Sequence, residues 1–541
     1  MPKSEVNILR RLPDIIALFL IVLSLLSVLL PFSSSIFPLD GLELSLVEKI
    51  RELSISDSYF HYTYNFSPDY SQPPLILWLG KLSLSFTDNL YMAARLPSIA
   101  VSIFFLLSIY KIASNYFDDK VAFWWILLLL ATPISFLLLR SASSFGVGFA
   151  FSFLAIYRLQ RATFNENVSS SNFLAAAIYT GLASLSMGFV AIIICFSNYL
   201  LYWVNERFNV KDKLNDVLMY FVLSVIFFAI WPLSIFLDAG YTIFYKWIDS
   251  LFLTYHYGLK FTAIALLITI ASFPMNVLSV SVRNIRTNNS MNQRHFIKWI
   301  NQYMLVVAIY ALVDYRSLYL LMVPMSFLAA FAIVFYLKES FYWPIALNSI
   351  FLFIGGGVVT SFLIIAWLPS FKNELSNITQ SHVLSNCLDP LNNSYLGKII
   401  TVILGVVLLI SCFLLMKRQI YNGLILFCTS LFMFNAAYIG STFKYIKNSY
   451  DSPIKHFCEK VKSPQSTIIS YNDFCTDKIL LYAEATLPVK TLFEIDQTNK
   501  SQFMIARIDD EKNTDIYLKK FKKIYKDGGY VFYQYIPTLT K

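Results

Sequence analysis

The chain has 541 residues, of which 57% are hydrophobic and only 14% charged, whereas ordinary soluble domains carry roughly a quarter of their residues as charges. Such a chain cannot fold in water as one globule, so it reads as a polytopic α-helical membrane protein, and disordered or collagen-like classes are excluded. The net charge of +10 belongs to cytoplasmic loops in a protein of this class and gives no reason to expect nucleic acid.

The first apolar run, 12–30, follows Lys3, Arg10 and Arg11 and is expected to be a retained anchor rather than a cleaved signal peptide. Twelve further runs can cross a bilayer, some with help from flanking residues: 91–112, 121–139, 141–157, 172–187, 188–204, 214–237, 261–282, 300–313, 318–337, 343–368, 399–416 and 424–439. With the N-terminus inside, every second loop is basic: Lys111 and Lys120; Arg158 and Arg161; Arg207, Lys211 and Lys213; Arg283, Arg286, Arg294 and Lys298; Lys338; Lys417 and Arg418. Thirteen spans then put the tail outside, in the periplasm if the cell is Gram-negative. The expected organisation is a membrane domain over 1–440, with a first extracytoplasmic loop over 33–90, and an extracytoplasmic domain over 441–541. The whole is a multi-pass protein of the plasma (inner) membrane.

Two outer regions carry periodic structure. Leu42, Leu46, Ile50 and Leu53 recur at three- and four-residue steps, predicting an amphipathic helix too short to span, lying flat on the outer leaflet. A second short helix is expected from Pro73–Pro74 through 75–86, because proline suits a first turn. Between them runs an aromatic, polar loop, 59–72, containing the sequon Asn65-Phe66-Ser67. The tail predicts a small α/β domain: strands at 467–471, 491–495, 503–508 and 530–536, and helices at 477–484 and 514–526. The six cysteines form no CxxC pair and have no histidines near them at zinc-site spacing, so a metal centre gets no support. Cys458 and Cys475 both fall outside, as a disulfide or as two thiols.

The order of an acidic amphipathic helix, an aromatic loop, Gln72-Pro73-Pro74-Leu75-Ile76-Leu77-Trp78 and Ala94-Arg95-Leu96-Pro97-Ser98 resembles the lipid-linked-sugar transferases of the GT-C superfamily. It is most similar to glycosyltransferase family 39, which includes bacterial aminoarabinose transferase and protein mannosyltransferases. The aromatic stretch ending in proline at 315–324, the thirteen spans and the extracytoplasmic α/β tail are similar too. Four positions depart from the family pattern. Asp40-Gly41-Leu42-Glu43 separates a usually adjacent Asp-Glu pair, with Leu44 or Ser45 where an arginine follows; Gln72 stands where aminoarabinose transferase has lysine; Ser143–Ser144 replace an aspartate; and Met187-Gly188 replaces Lys-Gly.

The resemblance implies transfer of a sugar from a polyprenyl-phosphate donor to a hydroxyl of a lipid or protein acceptor, with inversion, at the outer face. Such transfer asks for a carboxylate to take the acceptor's proton and for cations to stabilise the departing phosphate. Asp40 and Glu43 share one helix face near its N-terminus and are the candidate bases, Asp40 by order and Glu43 by alignment of Glu48-Lys49-Ile50-Arg51-Glu52. An Asp-x-x-Glu pattern here is also a capping box. Candidate phosphate cations are Arg95, Arg140, Lys246, Lys260 and Arg316, since charge near a bilayer is costly without a partner or a role. For Arg140 the competing reading is snorkelling to headgroups, and for Arg316 an ion pair with Asp314. Lys246, His256 and Lys260 are expected in an aromatic outer loop, which an interfacial belt also explains. His61, Gln72 and His256 are candidate sugar or acceptor contacts, with a solvated loop histidine as the plain reading of His61. No metal is demanded, although Asp40, Glu43 and Asp69 could share a divalent cation. Two other classes stay open: a lipid transporter or flippase, and a catalytically inactive relative that binds polyprenyl lipid.

Overall fold

The structure, a computed structural model of the chain, describes residues 41–56, 58–164, 170–206, 213–252, 272–281, 290–311, 315–338, 345–367, 395–437, 443–461, 466–471, 475–484, 488–490, 502–510 and 521–536. Helix α1 (Gly41–Ile55) leads to a small hairpin, β1 (Thr63–Tyr64) and β2 (Ser67–Pro68), and then to α2 (Pro74–Ser83). Nine further helices follow among the described residues: α3 (Leu90–Tyr116), α4 (Asp119–Ala131), α5 (Pro133–Arg140), α6 (Ser144–Phe164), α7 (Ser170–Met187), α8 (Phe189–Asn205), α9 (Leu214–Phe252), α10 (Met275–Ser281) and α11 (Met291–Ala311). A 3-10 helix (Tyr315–Leu321) then precedes α12 (Met322–Lys338), α13 (Ile345–Trp367), α14 (Tyr395–Met416) and α15 (Ile420–Ala437). Among the described residues three helical stretches, Leu90–Tyr116, Leu214–Ile248 and Ser317–Leu337, are long and apolar enough to cross a membrane unaided. The expected spans 12–30 and most of 261–282 lie outside the described residues.

Two expected spans differ from the chain's actual path. The run 121–139 is not one helix but the pair α4 and α5, bent by 84°. Pro133 occupies the first turn of α5, and Thr132 before it is extended (φ −83°, ψ 121°), as proline's steric demand on its predecessor requires. The run 214–237 continues as α9 through Lys246, so that residue stands exposed on a helix and not in a loop. The chain turns within α9 at Gly240 (φ 76°), a conformation that glycine adopts without strain.

Helix α1 is covered by protein on both of its sides. Its apolar stripe, Leu46, Val47, Ile50 and Leu53, is buried, but so are Glu48, Lys49 and Glu52 on its polar side, because the outer loop and the C-terminal elements cover that side.

Those C-terminal elements are α16 (Phe443–Val461), β3 (Thr467–Ser470), α17 (Thr476–Tyr482), β4 (Gln502–Arg507), β5 (Phe521–Asp527) and β6 (Tyr530–Tyr535). The sheet order is β3-β4-β6-β5, with β3 parallel to β4 and the other pairs antiparallel. Ile454, Phe457, Ile479 and Leu480 of the two helices pack with Ile505 and Phe532 of the sheet. The expected helix 514–526 is corrected: its described part, Phe521 onward, is β5, hairpinned to β6 through Gly528 (φ 56°) and Gly529 (φ 86°). Two consecutive positive φ angles make the turn that matches strand twist, and this pairing overrides the helical spacing. Helix α16, which the sequence reading did not anticipate, supplies the cover for one sheet face. Cys458 and Cys475 are both buried free thiols, not a disulfide. The expected strand 491–495 lies outside the described residues.

Candidate active site at the N-terminal ends of α1 and α3

The centre of the site is a buried ion pair. Glu43, in the first turn of α1, accepts from Arg95 Nε at 2.7 Å and from a terminal Arg95 nitrogen at 3.1 Å. Each side chain is 2% exposed. The backbone N–H of Ala142 donates to the same carboxylate at 2.9 Å. A carboxylate taking three donors, two from a planar guanidinium fork, is fixed in orientation. The bend between α4 and α5 is what delivers Ala142: it swings α5 across the bundle, where Ser102 of α3 donates its hydroxyl to the Leu139 carbonyl at 2.8 Å. Arg140, two residues before Ala142, is 3% exposed and interacts electrostatically with both Glu43 and Arg95. It does not snorkel outward. Among the described residues two guanidiniums and one carboxylate therefore share one buried location.

The loop between α1 and α2 is tied down around this centre. Asp238 of α9 accepts from His61 Nδ1 at 2.9 Å and from the Tyr70 hydroxyl, so His61 is an anchored and not a freely solvated side chain. Trp78 Nε1 donates to the Tyr59 carbonyl at 2.8 Å, and Lys81 Nζ to the Ser56 carbonyl at 2.8 Å. Gln72 Nε2 reaches Ser45 Oγ at 3.4 Å, and its Oε1 is buried without a hydrogen-bond partner among the described residues.

The polar side of α1 forms a second charged layer. Glu48 is wholly buried and takes two bonds from Arg51, at 2.6 and 2.9 Å; burial nevertheless pushes its carboxyl up to about 7. Lys49 pairs with Asp69 at 3.0 Å and donates to Ser71 Oγ at 2.9 Å. Burial works to raise the Asp69 carboxyl, but Lys49 and the Ser71 N–H outweigh it and hold it below the usual range. Asp69 thus neutralises a lysine; among the described residues no cluster of three or more His, Cys, Asp or Glu is placed to hold a metal ion.

The hairpin β1–β2 fastens this layer to the C-terminal elements. The Tyr64 hydroxyl donates to Asp477 of α17. Asn65 Nδ2 donates to the Val489 carbonyl at 3.0 Å while the Val489 N–H donates to Asn65 Oδ1 at 2.7 Å. One amide side chain so replaces a strand neighbour on both counts.

Of the residues singled out from sequence, the structure brings Glu43, Arg95 and Arg140 together, places Gln72 against α1 and ties His61 to α9. Lys246 is exposed on α9. Asp40, His256 and Lys260 lie outside the described residues, as does the side chain of Arg316, whose backbone belongs to the 3-10 helix. The sequence reading missed Asp238, one residue beyond the expected end of its span, and the Tyr64 and Asn65 contacts, for which no local pattern exists.

Residues 71–236 match the family described as dolichyl-phosphate-mannose-protein mannosyltransferase. Among solved structures, ArnT from Cupriavidus metallidurans bound to undecaprenyl phosphate superposes with a TM-score of 0.70 at 13% identity, covering 97% of this chain and 98% of that one. The apo state of the same protein gives 0.69 at 12% identity over the same shares. No curated protein matches the chain in sequence. The chain therefore shares the fold of ArnT along nearly its whole length, and residues 71–236 carry the pattern of the mannosyltransferase family.

Proposed function

We propose that this chain transfers a sugar from a polyprenyl phosphate to a hydroxyl of a lipid or protein acceptor, with inversion, at the outer face of the membrane. The observation that carries the reading is the buried grouping of Arg95, Arg140 and Glu43 at the N-terminal ends of α1 and α3. Two guanidiniums side by side suit a phosphate monoester leaving group, and a relative of the same fold was solved with undecaprenyl phosphate bound.

In the proposed reaction the acceptor oxygen attacks the anomeric carbon and its proton passes to a carboxylate. The bond from that carbon to the phosphate oxygen breaks, and polyprenyl phosphate departs with the electron pair. Arg95 and Arg140 stabilise the charge that grows on the phosphate. Glu43 already accepts three hydrogen bonds, which suits holding Arg95 in place better than taking a proton. Asp40, immediately before α1, is then the base and Glu43 the positioning residue. Arg316, Lys246, Lys260, His256, His61 and Gln72 complete the proposed donor and acceptor contacts.

Purified full-length protein in liposomes, supplied with undecaprenyl phosphate carrying a labelled pentose or hexose and with lipid A or peptide acceptors, tests this. Asp40→Asn is expected to lower kcat by about a hundredfold or more. Transfer at the wild-type rate by that variant removes Asp40 as base, and no transfer by the wild type from any donor removes the activity.

A further inference from the structure

A second polar feature lies at the other end of the helices. A groove of about 490 Å³ runs along one face of α11, lined by Arg294, Ile297, Lys298, Asn301, Gln302 and Leu305, which recur at the three- and four-residue steps of one helical face. Its basic end sits beside the C-terminus of α3: Gln293 Nε2 donates to the Tyr116 carbonyl at 2.9 Å, and the Tyr116 ring lies 5.2 Å from that of Phe296. Residues 95 to 116 of α3, at 1.5 Å each, separate this end from Arg95 by about 30 Å, the thickness of a bilayer's hydrocarbon core. The groove and the Glu43–Arg95 pair therefore stand at opposite membrane faces.

Along the groove the chemistry changes in order. Arg294 is exposed at the mouth. Lys298, one turn further, is oriented by Glu206 at 2.7 Å. Next comes Gln302, only 6% exposed, with both amide atoms buried and lacking a hydrogen-bond partner among the described residues. Beyond it Leu305 and Ile309 present exposed aliphatic surface, 53% and 58%. An amide left unsatisfied in such a place is costly, and a chain seeks to satisfy it.

We infer that this groove binds one anionic diacyl phospholipid. Its phosphate sits between Arg294 and Lys298, its ester linkage meets the Gln302 amide, and an acyl chain follows Leu305 and Ile309. The sequence of cation, amide and aliphatic surface matches the phosphate, ester and acyl layers of a lipid in depth. A free phosphate would satisfy the cations but leave the amide and the aliphatic stripe uncovered. Basic side chains at a membrane face favour anionic over zwitterionic headgroups.

Native mass spectrometry of the full-length protein, with phosphatidylglycerol or phosphatidylcholine added in detergent, tests the inference. The wild type is expected to retain one phosphatidylglycerol in preference to phosphatidylcholine. Arg294→Gln and Gln302→Leu are each expected to weaken that retention by about tenfold. Because Arg294 is exposed, its replacement leaves folding intact and decides the matter even if Gln302→Leu fails to fold. Equal retention of the two lipids, unchanged retention by Arg294→Gln, or displacement of the lipid by inorganic phosphate overturns the assignment.

Discussion

Gln72 faces Ser45 across the start of α1, its Nε2 3.4 Å from the serine Oγ. Gln72 stands where aminoarabinose transferase is expected to have lysine, Leu44 or Ser45 where an arginine is expected, and the structure makes Gln72 and Ser45 neighbours. A contact at 3.4 Å is a weak hydrogen bond, so Ser45→Ala is expected to change stability by no more than about 0.5 kcal/mol. Gln72→Lys restores a cation beside Arg95's helix and is expected to lower the KM for a polyprenyl-phosphate donor by about tenfold. Thermal unfolding midpoints of Ser45→Ala and donor titrations of Gln72→Lys in the liposome assay read the two effects, and a higher KM for Gln72→Lys would remove Gln72 from the donor site.

Removing Arg95 leaves the buried Glu43 with only the Ala142 N–H and the more distant Arg140 to balance it. Arg95→Met is expected to destabilise the protein by about 3–5 kcal/mol, seen as a fall in the thermal unfolding midpoint in detergent. The double variant Glu43→Gln with Arg95→Met is expected to lose less than the sum of the singles, because the pairing broken by the second substitution is already gone after the first. Additive losses would mean that the pair is not energetically coupled.

Glu48 gives the outer layer a pH dependence. Burial pushes its carboxyl from 4.5 up to about 7, so between those values the unfolded chain has released a proton that the folded chain still holds. Rising pH then favours unfolding across that window, by up to about 3 kcal/mol from this group, and the loss is complete above the folded value. Asp69 acts in the opposite sense: held low by Lys49, it contributes stability above its unfolded value that disappears as pH falls through the folded one. Midpoints measured from about pH 5 to about pH 8 are expected to decline more for wild type than for Glu48→Gln. Parallel curves would contradict the raised carboxyl.

Asn65 serves the hairpin twice, once by tolerating its φ of 53° and once by pairing with Val489. Asn65→Gly keeps the turn and deletes the pairing, leaving a half-covered N–H and carbonyl at Val489 at a cost of about 1–3 kcal/mol. Faster amide hydrogen exchange at Val489, without faster exchange in β1, is the expected signature. Unchanged exchange would show that the contact contributes nothing.

Local chemistry explains which features the sequence exposes. The short helices α1 and α2 are legible because apolar spacing and a proline pair are written within a few residues of each other. Glu43 and Arg95 are legible as candidates, yet their mutual pairing is not, since they stand 52 positions apart and meet only once α3 is upright. Arg140 illustrates the same limit: interrupting an apolar run marks it as unusual, but only the bend at Pro133 turns it inward. The hairpin at Gly528–Gly529 was readable from the two glycines, and the helical periodicity of 514–526 concealed it. Asp238 escaped notice because it adjoins the apolar end of a span and shows its purpose only when His61 and Tyr70 arrive from the first loop.

The reciprocal pairing of Asn65 with Val489 also bears on timing. The asparagine of the Asn65-Phe66-Ser67 sequon has both its amide nitrogen and its oxygen occupied by a segment made more than four hundred residues later. If the chain is produced in a cell whose oligosaccharide machinery modifies such sequons, a glycan at Asn65 can be attached only while the later segment is still being synthesised or has yet to arrive. The carbohydrate would then block the docking site, so occupancy at that asparagine would record which molecules closed late and separate them from those that closed on schedule.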